Sequence, residues 1–409
     1  MTQSESVSQR VHITVAGPDT PGITAALTAV IAENSAQLID IEQVVVRGQL
    51  TLCLLVSIDA AQEDPVLKDL LFTATKMGLE MRFQPLHESE SVEGPSGYRF
   101  ALTAIGDGCD ARGLSIVAGL LADHQANIVQ IQQLSRGGLG SVEIVGRLAS
   151  SEAEDAEALR RALILATRDH DMDIALQREG LLRRSKRLVV MDMDSTLIQI
   201  EVIDELARAH GVVDRVSEIT SRAMAGELDY EESLRERVRL LEGMSYEKVL
   251  RVVSDLPVTE GARSMLRVLQ ALGYKTAVIS GGFLVAANAL KDELGLSYAY
   301  ANRLVVSDGH LTGTVDEPIV TPQRKADLLD AIAQREGISL EQTIAIGDGA
   351  NDMAMLMRAG LGIAFHAKAK LRAAADTSLS AGGLDRILFL LGFHARDVHE
   401  LLDGMVGKE

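Results

Sequence analysis

The sequence predicts an α/β protein in which two βαββαβ units precede a parallel-sheet core interrupted by a helical insertion. Three observations predict it. Residues 11–177 run through the order strand, helix, strand, strand, helix, strand twice. The segments AENSAQLIDIEQV (32–44) and ADHQANIVQIQQL (122–134) align at an offset of 90, so the two runs are copies of one unit. From Arg187 onward the pattern changes to short apolar strands separated by longer helices, as in parallel α/β folds.

The elements follow in order. VHITVAG (11–17) is a strand, and the GPDTPG turn (17–22) opens the helical spacing of ITAALTAVIAEN. QLIDIEQVVV and LTLCLLVSI are strands, PVLKDLLFTATKMG is a helix, and LEMRFQPL returns to a strand. The second copy runs from YRFALTAIG through MDIALQ, and βαββαβ is the ferredoxin-like motif. REGLLRRSKR (178–187) is polar and basic and reads as a linker. RLVVMDMD, KTAVISGG, EQTIAIGDG and LGIAF read as buried parallel strands, and the strand-free stretch 198–270 reads as a helical cap. The implied domains are residues 1–90, 91–178 and 179–409.

Composition narrows the function. Hydrophobic residues are 47% and charged residues 24% of 409, so most of the chain can bury a core. The net charge is −18, spread over both halves, and aromatics are 3% with no Trp. That argues against nucleic-acid binding and against anionic membranes. There is no apolar run long enough to span a bilayer, and MTQSESVSQR has no apolar signal region. Cys53 and Cys109 are the only cysteines and are expected to be reduced thiols in a cytoplasmic protein.

Four motifs carry chemistry. LVVMDMDSTL (188–197) ends a buried strand in Asp192 and Asp194, where parallel sheets bind ligands. Ser280, Gly281 and Gly282 follow the next strand, where a hydroxyl and close backbone N–H groups can hold phosphate oxygens. Lys325 lies near a helix start and can reach a phosphate as a point charge. IAIGDGANDM places Asp348, Asn351 and Asp352 at a third strand end. Taken singly, SGG is an ordinary turn and Lys325 an ordinary solvated side chain.

In the order DxDST, SGG, K, GDGxxND, the four motifs resemble the haloacid dehalogenase superfamily of phosphatases over residues 187–395, with its Rossmann-like core. The resemblance implies Asp192 as nucleophile, forming an aspartyl-phosphate, and Asp194 as general acid and base. It implies Mg²⁺ held by the side chains of Asp192 and Asp348 and the backbone carbonyl of Asp194. Ser280, Gly281, Lys325 and Asn351 would hold the phosphate, with Asp352 positioning Lys325 or a metal-bound water. The cap segments IQIEVIDELARAHG and SRAMAGELDYEESLRERVRLL are similar to the phosphoserine phosphatase family. That likeness implies Glu201 for the substrate ammonium, Arg237 for its carboxylate, and Met224 and Tyr230 as apolar cap residues. That family often has Phe where Tyr230 stands. Without the likeness, Glu201 reads as a first-turn helix carboxylate and Arg237 as a solvated side chain.

The implied reaction is hydrolysis of O-phospho-L-serine, the last step of serine synthesis. The alternatives are a related phosphatase or phosphotransferase acting on another small phosphomonoester or on a phosphoprotein, or an amino-acid-binding regulator with an inactive phosphatase half. The N-terminal repeats resemble ACT domains, which implies a homodimer and an amino-acid effector such as serine. Asp19 and Gly22 of the first loop and Gly108 of the second (GDGCDARG) are the effector-site residues this implies.

Overall fold

The computed structural model describes residues 8–59, 63–86, 97–138 and 140–406. The expected module boundary near residue 90 and the first seven residues fall outside them. The chain divides into two compact units, Met1–Pro95 and Ser96–Glu409.

The first unit is one βαββαβ module. Strands β1 (Ser8–Pro18), β2 (Gln37–Val46), β3 (Gln49–Asp59) and β4 (Glu80–Leu86) form an antiparallel sheet in the order β2-β3-β1-β4. Helices α1 (Ile23–Glu33) and α2 (Glu63–Lys76) cover one face. Strand alternation sends Val11, Ile13 and Val15 of β1 and Leu50, Leu52, Leu54 and Val56 of β3 into that core. The edge strand β2 is exposed along its whole length, including Ile39, Ile41, Val44 and Val46.

The second unit opens with the repeat: β5 (Arg99–Ile105), α3 (Ala111–Asp123), β6 (Ala126–Gln133), β7 (Ser141–Leu148), α4 (Ala153–Thr167) and β8 (Asp173–Arg178). The two copies agree in backbone detail. Ser35 and Gln125 share a left-handed φ of 55° and 54°, and both copies slip register one strand later, at Leu38/Asp40 and Ile128/Gln130. They differ in what covers them. β3 alternates in burial, whereas β7 is buried on both faces.

The second covering layer is the chain's own C-terminal segment. Gln177 donates to the Leu390 carbonyl at 2.9 Å and the Ala395 amide to the Leu134 carbonyl at 2.8 Å. Ile105 and Ala175 join the same core as Ile387, Leu388 and Leu390.

The expected linker is therefore not solvated. After β8 it forms α5 (Leu181–Arg184), whose Arg183 is buried and paired with Glu143 of β7 and with Glu179. Lys186 is also buried and donates to the Glu341 carbonyl at 2.5 Å. A basic stretch can go inside when its charges meet carboxylates and carbonyls there.

The core follows with β9 (Leu188–Met191), a wide turn at Met193–Leu197, and the cap helices α6 (Val202–His210), α7 (Val213–Met224), α8 (Tyr230–Arg239) and α9 (Tyr246–Val253). An Ile198–Val258 bridge pinches this insertion shut. The cap ends there, earlier than residue 270, because α10 (Ala262–Ala271) packs on the core sheet. Then come β10 (Lys275–Phe283), α11 (Leu284–Leu294), β11 (Tyr298–Asn302), and the hairpin β12 (Leu304–Ser307) and β13 (His310–Val315). The chain ends with α12 (Pro322–Glu336), β14 (Thr343–Gly347), α13 (Met353–Arg358), β15 (Gly362–Phe365), α14 (Ala369–Ala374), β16 (Thr377–Leu379), α15 (Ile387–Leu390) and α16 (Ala395–Val406).

Strands β11-β10-β9-β14-β15-β16 are parallel, and Thr377 of β16 pairs antiparallel with Ala175 of β8. The repeat and the core thus share one ten-stranded sheet.

Candidate active site

The adjacent strands β10, β9 and β14 end at one edge of the sheet, and the expected residues follow each end. The Asp192 amide continues the ladder by donating to Ile346 at 2.9 Å. Beyond it Asp194 is extended and Ser195 left-handed at φ 57°, a costly conformation for a residue with a Cβ. That turn brings the Asp194 carboxylate between two donors. The Val202 amide reaches Oδ1 at 2.8 Å and the Ser280 hydroxyl reaches Oδ2 at 3.2 Å. Gly282 passes so close that a Cβ there would strike the same carboxylate.

Helix α12 starts with Thr321 capping the Arg324 amide and Pro322 in its first turn. Lys325, one turn in, is 1% exposed and donates to Asp192 Oδ1 at 2.7 Å and to Asp352 Oδ1 at 2.6 Å. Asp352 Oδ2 accepts the Gly349 amide at 3.1 Å, and the Thr196 hydroxyl reaches Asp348 at 3.3 Å. Oxygens of Asp192, Asp348 and Asp352 lie within 4.8 Å of one another. Three buried or half-buried carboxylates against one ammonium leave excess negative charge.

The electrostatics follow from that excess. Burial, then Asp352, holds Asp192 well above the usual carboxylate range. Burial, then the Glu201 charge, pushes Asp194 up to about 7, and burial with Asp352 pushes Asp348 up to about 6. Burial opposes the charge on Lys325, but the Asp192 and Asp352 carboxylates override it and raise its pKa.

On the cap side, Glu201 is exposed, accepts the Ser195 hydroxyl at 2.8 Å, and its charge is felt at Asp194 and Asp348. Arg237 is half-buried, and its charge is felt at Tyr230. Asn351 is half-buried, its amide oxygen folded over Gly349.

The haloacid dehalogenase-like hydrolase family matches residues 186–360, and ACT-domain families match residues 9–84 and 100–177. A phosphoserine phosphatase of Streptomyces coelicolor is 41% identical over 394 residues, covering 94% of this chain and 93% of that protein. Phosphoserine phosphatase SerB2 of Mycobacterium tuberculosis is 40% identical, with 93% of each chain covered. The chain belongs to the phosphoserine phosphatase family. Among solved structures, a probable phosphoserine phosphatase from Vibrio cholerae superimposes with a TM-score of 0.54 at 33% identity, over 72% of this chain and 86% of that one.

The residues expected from the family likeness differ in their surroundings. Met224 ends α7 with 71% of its surface exposed. The buried stripe of α7 is Val216 and Ile219, and a residue five positions after Ile219 points well off it. The loop residues of the repeats also divide. Asp19 and Gly22 are exposed, and Gly22 has φ 98° with open space on its Cβ side. Gly108 is filled from its own module, since a Cβ would strike the His170 carbonyl, and Asp110 caps α3 through the Gly113 amide. The changed spacing of the second loop was the sequence signal for this.

Motif reading included Thr196 without giving it a role, and it missed Asn302. Asn302 is buried and clamps two loops, donating to the Gly281 carbonyl and accepting from the Val320 amide, each at 2.8 Å. An asparagine ending an apolar strand was its faint trace in the sequence.

Proposed function

We propose that the chain hydrolyses O-phospho-L-serine to L-serine and phosphate, with Mg²⁺, through an aspartyl-phosphate on Asp192. The observation that carries this is the convergence of Asp192, Asp348 and Asp352 oxygens beside Lys325, with Asp194 held two residues away. An all-oxygen, over-acidic donor set suits a hard cation. Mg²⁺ would be held by Asp192, Asp348 and the Asp194 carbonyl, and would supply neutralisation of the phosphate charge.

The residues divide the work. A carboxylate oxygen of Asp192 attacks phosphorus as the phosphorus–serine oxygen bond breaks. Asp194, held near neutrality by its surroundings, gives its proton to the departing alkoxide. It then takes a proton from the water that attacks the aspartyl-phosphate, which frees Asp192 and phosphate. Lys325, the Gly281 amide and Asn351 hold phosphate oxygens, while the Ser280 hydroxyl beside them donates to Asp194. Glu201 takes the substrate ammonium and Arg237 its carboxylate.

The repeats are proposed to regulate and assemble the protein. The exposed first loop with Asp19 and Gly22 is the amino-acid site, with L-serine as effector. The apolar edge strands β2 and β6 (the latter exposing Val129 and Ile131) would join a second copy. Phosphate release from a panel of phosphomonoesters, with Mg²⁺ and with EDTA, tests the reaction. Phosphoserine should lead the panel and EDTA should abolish its turnover. Equal rates across the panel, or turnover insensitive to EDTA, would sink the proposal.

A further inference from the structure

Tyr230 stands at the first position of α8, whose start is fixed by a reciprocal Asp229–Glu232 capping box. A ring there would exclude water whether or not it carried a hydroxyl. The hydroxyl has its own partner: it donates to the Gly281 carbonyl at 3.1 Å, across from the cap to the core. A Cβ on Gly281 would collide with it, so the glycine leaves room for the cap. Asn302 donates to the same carbonyl and fixes it from the other side.

That carbonyl belongs to the peptide group whose N–H is on Gly282. The Gly282 N–H donates to Ser280 Oγ at 2.8 Å, and Ser280 donates onward to Asp194 Oδ2. Cap, peptide, serine and Asp194 form one directed line of hydrogen bonds, in which each bond polarises the next. Burial pushes the Tyr230 phenol up to about 12, so it remains a donor at neutral pH.

We propose that Tyr230 is a latch: its hydroxyl docks the cap on the Gly281–Gly282 peptide and thereby positions Ser280 and Asp194 for proton transfer. Tyr230 is a positioning residue and touches no reacting atom. The inference rests on reading Asp194 as the general acid.

Tyr230→Phe keeps the ring and deletes the donor. The serine alkoxide needs a proton on leaving, whereas nitrophenolate leaves without one. A neutral hydrogen bond corresponds to a loss of about fivefold to tenfold in kcat on phosphoserine. The loss on p-nitrophenyl phosphate should be at least about three times smaller, with both KM values within about twofold of the parent. Gly281→Ala alone should cost more than about tenfold, and adding Tyr230→Phe should restore activity to within about threefold of Tyr230→Phe.

Equal losses on the two substrates, no loss at all, or an additive double variant would overturn the latch. A parent enzyme that hydrolyses p-nitrophenyl phosphate and ignores phosphoserine would overturn the proposed substrate instead. Glycerol phosphate, another alkyl ester, then reads the latch by the same comparison.

Discussion

Arg183→Met should destabilise the second unit at the junction between repeat and core. The Arg183 side chain is 4% exposed, and its partners Glu143 and Glu179 are 3% and 4% exposed. Glu179 would keep Arg184 at 2.7 Å, but Glu143 would keep only the neutral Gln132 amide at 3.0 Å. Leaving one buried carboxylate without its cation costs about 3–5 kcal/mol. For a unit of roughly 300 residues, at about 2.1 cal/mol/K of unfolding entropy per residue, that lowers the melting temperature by roughly 5–8 K. Differential scanning calorimetry reads it, and the transition of the first unit should stay where it was. Arg184→Met, at a site 61% exposed, should change stability by no more than about 1 kcal/mol. An Arg183→Met protein that melts within about a degree of the parent would refute the argument.

Four further outcomes are expected. Asp192→Asn should cut turnover by about 10⁴-fold or more, with no trapped aspartyl-phosphate; a tenth of the activity remaining would exclude the covalent route. Glu201→Ala and Arg237→Ala should each cost about 2–5 kcal/mol of transition-state binding on phosphoserine and far less on p-nitrophenyl phosphate, whereas equal losses would assign them to cap structure. Burial lowers the Lys186 pKa from 10.5 to about 8. Below pH 8 both states hold the proton and the penalty is constant; from there to 10.5 only the unfolded chain holds it, so stability rises with pH. Lys186→Met should remove about 2 kcal/mol of that rise between pH 7.5 and 9.5, read by urea titration. A chain starting at Ser96 should fold, stay active and lose serine inhibition. One starting at Ser185 should aggregate, because it strips β8 from β16 and bares Ile387, Leu388 and Leu390; a soluble, active Ser185 chain would show the junction to be dispensable.

The sequence by itself determined the elements and the location of the chemistry. Alternation and helical spacing are local properties, so β1, α1 and their copies at an offset of 90 could be read directly, while the matching left-handed turns at Ser35 and Gln125 came from the backbone. The acids could be read because parallel strands present ligands at their carboxyl ends, and each motif follows such an end. Tertiary structure alone decided which faces are covered. Nothing local in REGLLRRSKR distinguishes a solvated linker from a buried one; the difference is Glu143, 40 residues away, waiting for Arg183. Nothing local in the two repeats says that one sheet keeps an open face while the other is closed by a segment more than 200 residues later. Met224 and Tyr230 look alike as apolar cap residues, yet helix rotation turns one to solvent and the other onto Gly281. Periodicity records that a side chain is apolar and which side of its element it takes, while burial depends on what arrives from distant sequence to cover that side.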